Sequence, residues 1–153
     1  MGEKVLLSER EKWLLVFLDG PDLAGGGGKE WVDPIRIQKG MFLLSMRGPS
    51  KELFEFSPYH WGPFSKDVTE TVRSLVKRGL AVRKPVEGRS WSVYSTTDTG
   101  HSQAVSYREA LSESHRGWID GAREYVLGKS FVGLLREIYD AYPDYASRSL
   151  LAP

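Results

Sequence analysis

Apolar residues run without a break from Trp13 to Leu18, whereas most later segments alternate apolar and polar positions at helical spacing. A stretch that is apolar all round predicts a helix buried on several sides. Its start is marked by Ser8 and Glu11, a capping box in which each side chain satisfies the other's orphan backbone donor, and Gly20-Pro21 should stop it. A second helix opens at Asp33-Pro34, with the acid as N-cap and proline at the first helical position. Ile37, Met41 and Leu44 recur on one face, Phe42 and Leu43 widen the stripe, and Arg47-Gly48-Pro49 ends it. Gly40 costs this helix about 1 kcal/mol relative to alanine, which points to a neighbouring element in close approach.

Leu53 to Phe56 reads as a short strand, and Ser57 to Phe64 as a loop stiffened by Pro58 and Pro63 and filled by Tyr59, Trp61 and Phe64. Those rings either seal one end of the core or form a cage for a ligand. Ser65 caps a third helix with Val68, Val72, Leu75, Val76 and Leu80 on one face. Lys66, Asp67, Glu70, Arg73, Lys77 and Arg78 project from the other, and Gly79 stops the helix. Leu80 to Lys84 and Ser90 to Ser95 then read as a hairpin turning through Pro85, Glu87 and Gly88, with Trp91 and Val93 on one face. Thr97 is the candidate N-cap of a further helix. Beyond Gly100 the pattern stays helical, with one helix carrying Trp118, Ile119, Ala122, Tyr125 and Val126, and another carrying Phe131, Leu134, Leu135, Ile138 and Tyr139.

This order predicts a mainly α-helical winged-helix domain with a small β-hairpin wing and helical extensions at both ends. The length predicts one domain over residues 1–153, with the winged-helix core at about 33–104 and the C-terminal extension at about 105–153. Gly20 to Glu30, with four consecutive glycines at Gly25 to Gly28, reads as a mobile loop. A phosphate cradle there is the sharper alternative, but no strand precedes the glycines and no Gly-Lys-Ser or Gly-Lys-Thr follows them.

The absence of cysteine excludes disulfides, thiolate catalysis and cysteine-based zinc sites. Trp13 to Leu18 is too short to span a bilayer, and Glu3, Glu9 and Glu11 interrupt any signal-peptide pattern, so a cytoplasmic location is expected. The net charge of +1 argues against an indiscriminate nucleic-acid coat. Locally the balance differs. Arg73, Lys77, Arg78, Arg83, Lys84 and Arg89 fall within one segment holding the single acid Glu87, and Lys66 opens the helix before it.

Phe56-Ser57-Pro58-Tyr59-His60-Trp61-Gly62-Pro63-Phe64-Ser65 resembles the YwgA-like family of small prokaryotic proteins. Gln38-Lys39 before an apolar run, Tyr94 to Gly100 at the close of the wing, and Tyr139 to Ala146 followed by Ser149 are similar to further segments of that family. Gly40 and Ser95-Thr96 depart from its pattern. The resemblance implies a winged-helix fold with no assigned activity. The Tyr-x-x-Gly-Pro core also resembles the Panacea-type antitoxin domain, which implies a protein partner.

Two functions follow as expectations. As a transcriptional regulator, the protein would bind duplex DNA through Lys66, Arg73, Lys77, Arg78, Arg83, Lys84 and Arg89, with the third helix in the major groove and the wing on phosphates or in the minor groove. Asp67 and Glu70 on that helix weigh against it. The alternative is a non-catalytic interaction module, antitoxin-like or a defence-associated adaptor, anchored by Tyr59, His60, Trp61, Tyr142 and Tyr145. A homodimer through the C-terminal helices is a further possibility of the pattern. Catalysis is not expected: His60, His101 and His115 share no metal-ligand spacing, and no serine elbow is present. Gly128-Lys129-Ser130 lacks the earlier glycine of a phosphate loop, and Glu137 with Asp140 reads as a solvated acid pair. No cofactor and no metal site is expected.

Overall fold

The structure, a computed structural model, describes residues 6–20, 30–48 and 53–151. The expected mobile loop with Gly25 to Gly28, and the helix stop at Pro49, lie outside the described residues. The described chain is mainly helical, with two small antiparallel hairpins.

Helix α1 (Glu9–Asp19) opens on the expected capping box, and every residue from Trp13 to Leu18 is buried. Helix α2 (Pro34–Arg47) is capped by Asp33, whose carboxylate accepts from the Arg36 backbone N-H. The two meet where the Phe17 ring lies against the bare Cα of Gly40, a position where any Cβ would overlap the ring. That contact is the close approach the sequence anticipated, and it brings the buried faces of both helices into one apolar cluster.

The segment from Leu53 to Phe56 forms no strand. The residues expected to be an aromatic loop instead form a hairpin of β1 (Ser57–Tyr59) and β2 (Gly62–Phe64), paired Ser57 to Phe64, Pro58 to Pro63 and Tyr59 to Gly62. Antiparallel ladders alternate hydrogen-bonded and non-hydrogen-bonded pairs. Prolines facing each other at a non-hydrogen-bonded pair forfeit no ladder bond, which is how two residues that usually argue against a strand are accommodated. Gly62 has φ +86° and sits close to Lys39, Leu135 and Tyr139, so the hairpin lies down on α2 and on α6 (Phe131–Ala141).

Helix α3 (Lys66–Lys77) is capped by Ser65 and leads through Gly79, at φ +74°, into β3 (Ala81–Pro85) and β4 (Ser92–Thr96). Their register runs from Ala81 opposite Thr96 to Pro85 opposite Ser92. On the other edge of β4, Val32 forms a single antiparallel bridge with Tyr94 through two 2.9 Å backbone bonds. Of the two residues expected on one strand face, Trp91 lies just before β4, its carbonyl accepting from the Val86 backbone at 3.3 Å, and Val93 stands opposite Lys84. Thr97 caps α4 (Asp98–Ala110) as expected.

Helix α5 (Glu113–Leu127) and α6 bury Ile119, Val126, Leu134, Leu135 and Ile138 in the same core as α1 and α2. Of the stripe that suggested a homodimer, these five residues are used within the chain, while Trp118 is 44% exposed. Arg36 secures this arrangement: its guanidinium donates to the carbonyls of Val126 and Lys129 at 3.0 and 2.7 Å while pairing with Asp33 at 2.9 Å. A cation there answers the orphan carbonyls at the end of α5. Tyr142, and Tyr145 in the 3-10 turn Pro143–Ala146, place their rings edge-on to Phe42.

Gly40→Ala should lower stability by about 1–3 kcal/mol although alanine is the better helix former, because the added methyl must displace Phe17. Urea denaturation of the two proteins checks this; an equal or higher midpoint would show that α1 and α2 can separate at no cost.

Candidate nucleic-acid interface

Successive turns of α3 divide its surface into three strips, as the helical repeat requires. Val68, Val72 and Leu75 face the core. Asp67, Ser74 and Arg78 turn towards the N-terminal half of α1: Arg10 pairs with Asp67 at 3.4 Å, the Ser74 hydroxyl donates to Glu11 at 2.9 Å, and Arg78 pairs with Glu11 at 3.3 Å. Burial pushes the Glu11 carboxyl up, but bonds from the Ser8 backbone and the Ser74 and Ser8 hydroxyls, with Arg78 beside it, hold it below the ordinary range. Arg78 also donates to the Leu6 carbonyl at 3.2 Å. Its charge serves the joint with α1, so of the residues predicted to meet DNA it stands apart.

The third strip carries Lys66, Glu70, Arg73 and Lys77, all exposed. Among the described residues none of these three cations has an ion-pair partner. Asp67, expected to oppose an anionic ligand, lies on the second strip and is matched by Arg10, and Glu70 is the acid that the third strip carries.

The β3–β4 hairpin stands beside α3 and carries the remaining predicted cations. Arg83 lies opposite Tyr94, on the face turned to α3, and its Nε donates to the Ser92 hydroxyl at 2.9 Å. Lys84, one residue on, points to the other face, where its amine lies 5.3 Å from the centre of the Trp31 ring. Arg89, in the turn, sits 5.3 Å over the Trp91 ring. Between α3 and the hairpin runs a groove of about 570 Å³. Ile37, Val68, Val72 and Val76 contribute aliphatic lining, Trp91 and Tyr94 form the hairpin wall, and Arg73 and Arg83 stand on opposite sides. Trp91 and Tyr94 were not singled out as site residues, because strand alternation alone does not say which face meets α3.

The five residues predicted to anchor a protein partner separate into two groups. Tyr59 and Trp61 are 44% and 38% exposed on the β1–β2 hairpin. His60, between them, stacks on Tyr59 with ring centres 4.4 Å apart, and its carbonyl accepts from the Leu150 backbone at 2.9 Å. Tyr142 and Tyr145 are half-buried on Phe42, and the Tyr142 hydroxyl accepts from Arg47 at 2.8 Å. The latter pair fills the core margin and offers little to a partner.

The other candidate chemistry resolves into joints of the fold. His101 pairs with Asp19 at 2.9 Å, and His115 packs against Trp13 with ring centres 5.6 Å apart. Lys129 pairs with Glu137 at 2.9 Å, and Ser130 caps α6, so Gly128-Lys129-Ser130 is a helix junction. A hydrogen bond from Lys129 holds the Glu137 carboxyl below its ordinary range despite some opposing desolvation.

One titratable group escaped the sequence reading. Lys39, on α2, is 2% exposed, and its amine donates to the Pro63 carbonyl at 3.0 Å beneath the β1–β2 hairpin. Burial pushes this amine down to about 7, partly opposed by Asp33. A lysine amid aliphatic helix positions reads as solvated, and only the fold of the hairpin over it reveals otherwise.

No protein-family model matches the chain, and no curated protein matches it. Among the described residues no helix is long and apolar enough to cross a membrane.

The low Lys39 value fixes a sign. The amine titrates at about 7 in the folded chain and near 10.5 when unfolded, so between those values the unfolded chain binds more protons and stability rises with pH. Lys39→Met removes the buried charge and should stabilise the fold by about 1–4 kcal/mol below pH 7. That advantage should shrink as pH rises towards 10, which parallel urea titrations at several pH values would read. A difference independent of pH would contradict the assignment.

Proposed function

We propose that the protein is a winged-helix module that binds duplex DNA through α3 and the β3–β4 hairpin and acts as a transcriptional regulator with no catalysis of its own. The element order supports this: α1, the Val32 bridge, α2, α3, β3 and β4 follow the helix–strand–helix–helix–strand–strand sequence of a winged helix, with the β1–β2 hairpin inserted between its second and third helices. The observation that carries the reading is the strip of Lys66, Arg73 and Lys77, cations with no ion-pair partner among the described residues, beside a hairpin bearing Arg83, Lys84 and Arg89. In this reading α3 enters the major groove, while the hairpin cations meet phosphates flanking it. The intramolecular match of Asp67 by Arg10 removes one repulsion that such an approach would otherwise meet.

Fluorescence anisotropy with duplex DNA at several salt concentrations tests the proposal. Arg73→Ala with Lys77→Ala should weaken binding to every sequence alike and reduce the magnitude of the salt slope by about 0.9 for each phosphate that is no longer neutralised. Arg78→Ala should leave that slope unchanged and lower the melting temperature, because it strips Glu11 of a partner. Equal loss of affinity in the two variants, or no binding even at low salt, would sink the reading.

The half-exposed rings of Tyr59 and Trp61 on a proline-stiffened hairpin favour a second reading, a protein-interaction module. That reading predicts a partner whose affinity falls at least about tenfold in Trp61→Ser, as at an aromatic hot spot, and is unaffected by Arg73→Ala. The reverse dependence on these two substitutions would rule it out for that partner.

A further inference from the structure

We infer that the groove between α3 and the β3–β4 hairpin is a binding site for a small amphipathic anion, an aryl or medium-chain acyl carboxylate. Its volume of about 570 Å³ falls in the range of small-molecule sites, roughly 300–1,000 Å³, and is too small for a folded partner. The lining joins two chemistries. The partly exposed Val76 offers an aliphatic edge above the buried Ile37, Val68 and Val72, and the Trp91 and Tyr94 rings offer a flat surface. Among the described residues that line it, the charged ones are Arg73 and Arg83, so the groove matches a negative head on an apolar body.

The polar groups are already sorted into used and unused. Gln38 is spent: its amide nitrogen donates to the Ser65 carbonyl at 2.9 Å and the Thr69 hydroxyl at 3.1 Å, and its oxygen accepts from the Ser65 backbone at 2.8 Å. Arg83 is held by Ser92 through Nε alone, which leaves its terminal nitrogens without a partner among the described residues. Arg73 has none there either. A carboxylate between them would gain charge-assisted bonds from both walls. Phosphate backbone would satisfy the arginines but leave the Trp91 and Tyr94 rings and the edge of Val76 wet, so the groove asks for an apolar body that DNA backbone does not supply.

This inference stands independently of the DNA reading, since the ligand is tested on the protein alone. The two are connected through Arg73 and Arg83: if both hold, ligand and duplex compete for the same guanidinium groups.

The test titrates the full chain with 2-naphthoate, with decanoate and with the neutral 2-naphthylmethanol, following heat and backbone amide shifts. Saturable binding of either acid is expected, with shifts centred on Val72, Ser92 and Tyr94, and with the alcohol at least about tenfold weaker than naphthoate for want of the charge-assisted bonds. Arg73→Gln with Arg83→Gln should remove that preference without changing the melting temperature, and Ser90→Trp, which places bulk in the groove from an exposed turn position, should weaken acids and alcohol together. No saturable binding of either acid at millimolar concentration would overturn the proposal. So would shifts centred elsewhere, equal affinity for naphthoate and the alcohol, or a preference retained in the double variant.

Discussion

The ring of Phe17 lies against the bare backbone of Gly40, where α1 meets α2 with no room for a side chain, and the rest of the molecule is arranged around α1. A helix apolar on all sides has no stable place at a surface, so it must be enclosed by others. Here α3, α4 and α5 close around it, and its two polar ends then act as clamps. At the N-terminal end, Arg10 and Glu11 hold Asp67, Ser74 and Arg78 of α3. At the C-terminal end, the Asp19 carboxylate accepts from the Thr96 hydroxyl at 2.6 Å and pairs with His101, fixing the end of β4 and the start of α4. One buried helix therefore sets the angle between α3 and the β3–β4 hairpin, and that angle creates the groove.

The same clamps decide which charges remain available. A net charge of +1 conceals a division of labour. Arg10, Arg78 and Arg108 are engaged with Asp67, Glu11 and Asp120 in joints between elements, and Arg36, paired with Asp33 at the start of its own helix, reaches the carbonyls at the end of α5. Lys66, Arg73 and Lys77 are left facing solvent on one strip. Exposed ion pairs contribute little to stability, and so the informative contrast lies between cations with a partner and those with none among the described residues.

Local signals carried much of the fold into the sequence. Ser8 with Glu11, Asp33 with Pro34, Ser65 and Thr97 each act within one helical turn of themselves, and each caps the helix it announced. Gly40 was legible for the same reason, since its cost is local even though its cause is Phe17. What could not be read depends on pairings distant in sequence. Pro58 and Pro63 argue individually against strands and are tolerated only because they face each other. Val32 gives no sign of its bridge to Tyr94, and Lys39 looks solvated until the hairpin covers it. At the candidate interface the cations were legible by type, but their directions were not. Arg78 turns to Glu11, and Lys84 lies across the hairpin from Arg83, as a strand's alternation makes inevitable once the register is known.

The account rests on α3 and the β3–β4 hairpin forming one surface for duplex DNA. Backbone amide shifts of the full chain, recorded as a duplex is added at low salt, test that claim most directly. The account predicts that residues of α3 from Lys66 to Lys77 and of the turn from Val86 to Trp91 move together and saturate at one concentration. Shifts confined to Tyr59 through Trp61, or no shifts at all, would contradict it.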